Sequence, residues 1–70
     1  MNKDQAAALF VRQIQGKMAE ALRYAARNKN LSETDVSEMM TIIDKGEKLT
    51  LREIGEFFFE CGVTPDIEFR

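Results

Sequence analysis

The side chains that carry proton and group transfer are scarce in this sequence. Histidine is absent and Cys61 is the single cysteine, so neither a base-activated nucleophile nor a metal-ligand spacing can be assembled. Carboxylate pairs such as Glu56 and Glu60 sit one helical turn apart, which places them side by side in solvent rather than across a substrate. No glycine-rich phosphate loop is present. The expectation is that the chain is not an enzyme and holds no cofactor or metal. What remains is recognition chemistry. Phe59 lies at a helical position well off the apolar stripe of its own segment. An exposed aromatic there would anchor a protein interface, with Glu56 and Glu60 flanking it to meet a basic partner surface. Ile42, beside Glu38 and Thr41 at the edge of its own helical stripe, is a candidate for the same surface. Each has a plainer reading: Phe59 covered by the first helix, Ile42 capping the core, the carboxylates simply solvated.

The segment that must position Phe59 has both ends specified. Thr50 with Glu53 three residues on has capping-box spacing, and Leu49 and Ile54 are placed as a hydrophobic staple. Gly62 can turn left-handed and stop the helix. Between them Leu51, Ile54, Phe57, Phe58 and Cys61 fall on one side, with Cys61 read as a small buried residue.

Upstream, residues 4 to about 28 read as one long helix with Asp4 as its cap. Ala7, Val11, Ile14, Met18, Ala21 and Ala25 keep a three-four spacing, and Phe10 and Leu22 widen that stripe into a core-facing side. Such a helix spans about 36 Å, more than a small globule requires, so it bends near Gly16 or one end projects. Arg12, Arg23 and Arg27 take the opposite side, and Tyr24 sits where its hydroxyl reaches water. Asn28-Lys29-Asn30 is a turn. A second helix, Ser32 to Lys45, carries Val36, Met39, Met40 and Ile43 at helical spacing, with Lys45 in its last turn and Gly46 ending it. Met18, Met39 and Met40 read as core fillers, although exposed methionines also suit adaptable binding surfaces. Residues 63–70 are a tail, either one helical turn after Thr64-Pro65 or a short extended run through Ile67 and Phe69. The fold class is all-α: a small single domain over 1–70 with three helices, the first long.

The bulk numbers fit that scale. At 70 residues and 44% hydrophobic content the chain has one marginal core, a size at which oligomerisation helps and a homodimer stays open. One cysteine, no signal-peptide pattern and no membrane-length apolar run lead to the expectation of a reducing, cytoplasmic setting. The net charge of −2 is split unevenly. Up to Leu31, six basic side chains (Lys3, Arg12, Lys17, Arg23, Arg27, Lys29) face Asp4 and Glu20. From Ser32 onward, ten carboxylates face Lys45, Lys48, Arg52 and Arg70.

Two stretches, Lys45-Gly46-Glu47-Lys48-Leu49-Thr50-Leu51-Arg52-Glu53-Ile54-Gly55-Glu56 and Cys61-Gly62-Val63-Thr64-Pro65-Asp66, resemble the C-terminal half of short Xre/Cro-type helix-turn-helix regulators. Phe10 to Leu22 looks like that family's first helix. The middle departs from it. The family has a helix, a tight turn and a recognition helix after a start like Leu31-Ser32, whereas this interval holds one helix and is about eight residues short, roughly two turns. Glu33, Asp35, Glu38 and Asp44 stand where the family presents donors and cations to DNA, and carboxylates there repel phosphates. The resemblance, so truncated, is also to rhizobial antiactivators, small Xre-like proteins linked to quorum sensing and horizontal gene transfer. It implies a module that sequesters a transcriptional activator by direct contact, with no nucleic acid and no membrane as partner. The alternative it leaves is a small Xre-type repressor that binds DNA as a dimer through the basic side of the first helix.

Overall fold

In the computed structural model of this chain, residues 1–64 are described. The two readings of the tail from Pro65 onward lie outside them. The domain is all-α: α1 (Lys3–Asn28), α2 (Glu33–Ile43) and α3 (Leu51–Cys61), with a 3₁₀ turn at Gly46–Lys48 between the last two.

The cap of α1 is Asn2, not Asp4. The Asn2 side chain accepts from the Gln5 N–H at 2.8 Å, and Gln5 Oε1 accepts from the Asn2 N–H at 3.0 Å. That reciprocal pair satisfies two N–H groups the helix itself leaves unbonded, and Asp4 becomes a first-turn acid favourable to the helix dipole. Twenty-six helical residues extend about 39 Å, close to the 41 Å long dimension of the molecule. The projecting-end alternative therefore holds. Residues 3–10 are all exposed, and burial along α1 begins at Val11 and Ile14. Phe10, expected on the core side, is about half exposed.

The turn after α1 uses Asn30 at φ +51°, a left-handed conformation that asparagine tolerates. Ser32 then caps α2, its hydroxyl accepting from the Asp35 N–H at 3.1 Å. The helix ends at Ile43, two residues before the expected Lys45. Gly46 at φ +57° reverses the chain there. Gln15 of α1 reaches across to donate its Nε2 hydrogen to the Ile43 carbonyl at 2.9 Å, satisfying one of the carbonyls a helix end leaves open. Lys45, freed from α2, forms an ion pair with Glu53 instead.

Thr50 and Glu53 form the full capping box of α3. At the other end Gly62 has φ +73°, with the Gly62 N–H on the Phe59 carbonyl and the Val63 N–H on the Phe58 carbonyl. Both α2 and α3 pack on α1. The core is Ile14, Met18, Ala21, Leu22 and Ala25 of α1 with Met39 of α2 and Phe57, Phe58 and Cys61 of α3. Phe57 and Phe58 meet edge to face at 6.2 Å, a favoured aromatic geometry. Met18 is wholly buried and Met39 nearly so, as expected of fillers, but Met40 is half exposed on the flank of α2. Leu51 is a second correction: assigned to the buried stripe, it stands 86% exposed in the first turn of α3.

Candidate protein-interaction surface

Phe59 points away from the domain. Phe57, Phe58 and Cys61 take the buried side of α3, and at 100° per residue the next phenylalanine falls nearly opposite their mean direction. It is 84% exposed, so the first helix does not cover it. One turn before it is Gly55, exposed and with open space where a side chain would project. The aromatic ring therefore has bare backbone beside it rather than a shielding neighbour. Glu56 and Glu60 are on this exposed side as expected. Glu56 accepts from Arg52 Nε at 2.8 Å, a solvent-exposed pair one turn apart that contributes only about 0.3–0.5 kcal/mol. The Glu60 carboxylate has no ion-pair partner among the described residues.

The second group lies on α2. Glu38 and Thr41 are exposed, and the Thr41 hydroxyl donates to the Ser37 carbonyl at 3.0 Å. Ile42 is partly buried and packs against the core, which is the plainer of its two readings. No hydrogen bond or ion pair among the described residues joins this group to Phe59, Glu56 and Glu60. The structure thus brings the α3 trio onto one face and leaves the α2 trio on a separate helix.

A groove between α1 and α2 went unnoticed in the sequence. It measures about 280 Å³, floored by Leu22, Ala26, Val36, Met40 and Ile43, with Arg23 on the α1 wall and Asp44 at the α2 end. A neighbouring depression of about 310 Å³ shares Val36 and Met40 and reaches Leu31 and Glu33. The signal for it was present in the alanines. Ala19 and Ala26 sit one position to the side of the core stripe and hold that wall low. A smaller depression of about 110 Å³ lies where Phe10 and Val11 meet Leu51 and Ile54.

The electrostatics are simple. The Lys45 ammonium bonded to Glu53, helped by the Thr50 N–H, holds the Glu53 carboxyl below the usual carboxylate range. Burial pushes the Cys61 thiol up, and the neighbouring Glu60 charge adds to that. Residues Glu33, Asp35, Glu38 and Asp44 enter none of the ion pairs among the described residues, and α2 contains no cation at all. Among the described residues no group of histidine, cysteine, aspartate and glutamate is placed to hold a metal ion, and no helix is long and apolar enough to cross a membrane. No protein-family model, curated protein or solved structure matches the chain.

Proposed function

We propose that this chain is a cytoplasmic regulatory module that sequesters a transcriptional activator by direct protein contact and does not itself bind DNA. The observation that carries the reading is the interval between α1 and α3. It holds one helix of 11 residues, without a cation, followed by a three-residue 3₁₀ turn. A helix-turn-helix reader needs a separate recognition helix with donors aimed at base edges and cations on the flanking phosphates. Carboxylates along α2 oppose both requirements. Phe59 supports the same reading from the other side of the molecule, as an exposed aromatic of the type that dominates binding energy at interfaces. The Xre-like pattern of the chain and its likeness to antiactivators support an activator that governs quorum-sensing or gene-transfer functions as the partner.

Capture from the native host on the immobilised chain, paired with a salt-titrated mobility shift, tests it. Recovery of an activator, with DNA retarded only weakly and without sequence preference, is the expected pair of results. Sequence-selective nanomolar DNA binding at physiological salt would overturn it. That outcome would favour the dimeric repressor, whose case rests on the exposed Arg12, Arg23 and Arg27 of α1.

A further inference from the structure

We infer that the groove between α1 and α2 is a docking site for a basic amphipathic helix of the sequestered partner, an inference that rests on the protein-binding reading above. Three observations converge on that occupant. The floor is apolar and continuous past Met40, which is half exposed and supplies the adaptable surface on which a foreign apolar stripe can seat.

The α2 wall is one-signed. Glu33 and Asp44 stand at its two ends, eleven positions apart, or about 16 Å along a helix. Neither has an ion-pair partner among the described residues. The nearest cation in sequence, Lys45, is bonded to Glu53.

Asp44 also occupies the C-terminal cap of α2, where the helix dipole already concentrates negative charge and no basic residue offsets it in the last turn. A cation delivered by a partner would relieve that clash. The facing wall carries Arg23, so the arrangement selects an occupant with cations on one flank only and fixes its direction across the groove. The occupant is therefore a helix of about four turns, apolar at i, i+3, i+4 and i+7, with lysine or arginine about three turns apart on the side that meets α2.

The test is fluorescence anisotropy of the full chain with a labelled synthetic peptide of that design, built from leucine, alanine and lysine. Saturable binding that weakens with added salt is expected, together with loss of binding when the peptide lysines are replaced by glutamate. Met40→Glu, and separately the surface pair Glu33→Lys with Asp44→Lys, should each weaken it by about tenfold or more. Thermal melts verify that each variant folds, and the charge pair, lying wholly on the surface, keeps the test alive if Met40→Glu does not. Leu51→Gln, at an exposed residue outside the groove, should leave peptide affinity unchanged. Absence of peptide binding, indifference to both groove variants, or loss of binding in Leu51→Gln would overturn the proposal. So would a tight dimer in sedimentation that Met40→Glu dissociates, since a second copy would then fill the groove. Activator capture is read separately, so failure of the peptide arm leaves the functional reading standing.

Discussion

Lys29 Nζ donates to the main-chain carbonyl of Glu60 at 3.2 Å, tying the end of α1 to the last turn of α3. The same ammonium sits 3.0 Å from where a Cβ on Gly62 would project. The clamp and the left-handed stop of α3 therefore share one small space.

Gly62→Ala should be destabilising for two reasons. The backbone stays at φ +73°, which costs a side-chain-bearing residue about 1–2 kcal/mol. The added methyl must also displace the Lys29 side chain from the Glu60 carbonyl. A fall in thermal midpoint of about 4–8 °C per kcal/mol is expected for a domain this small. A second comparison isolates the clamp: Lys29→Met should lower stability less than Gly62→Ala, and the two losses should not add, because both remove the same hydrogen bond.

Phe57 and Phe59, two residues apart, should respond in opposite ways to truncation. Phe57 is 2% exposed and Phe59 is 84% exposed. Phe57→Ala opens a cavity worth about 3–5 kcal/mol, enough to unfold much of a domain of this size. Phe59→Ala should move stability by no more than about 0.5 kcal/mol while weakening activator capture. A large loss of thermal midpoint in Phe59→Ala would instead assign the ring a packing role.

The exposed Leu51 offers a similar contrast. Leu51→Gln should leave chemical denaturation within about 0.5 kcal/mol of the parent, because the side chain is 86% exposed. Ile54→Ala, three positions on and packed against the core, should cost about 2 kcal/mol or more.

Those pairs mark where the sequence could be read and where it could not. Caps are local chemistry, and Ser32, Thr50 with Glu53, and Gly62 were legible because each needs only its own neighbours. The long α1 and the burial of Met18, Met39, Phe57, Phe58 and Cys61 followed from periodicity. Periodicity identifies a face but not how far a neighbour covers it. Phe10, Met40 and Leu51 lie on or beside correct stripes, yet each is about half exposed or more. The end of α2 was misplaced because Lys45 looks like a favourable last-turn cation, whereas the structure gives it to Glu53 eight residues on. The cap of α1 was misplaced because Asp4 is acidic near a start, while Asn2 has the reciprocal partner Gln5. The α1–α2 groove depends on two helices meeting, and one-dimensional spacing carries no record of that.

Glu53 links the capping box of α3 to the loop before it, and this gives stability a dependence on acid. Its carboxylate bonds Lys45 and the Thr50 N–H, and these contacts hold its folded pKa below the ordinary glutamate value of 4.5. A depressed folded pKa means that the unfolded chain takes up the proton first. The contribution is therefore present above pH 4.5 and is lost as pH falls through the lower, folded value. Glu53→Gln preserves the acceptor that caps the Thr50 N–H but removes the charge that Lys45 holds. Thermal midpoints taken from pH 7 down to about pH 3 should converge for the parent and the variant at the acid end, with the parent more stable at neutral pH. Lys45→Met should produce the same flattening of the acid limb. Parallel curves separated by a constant offset across the whole range would show that Glu53 acts only as a neutral cap and that its bond to Lys45 contributes nothing to stability.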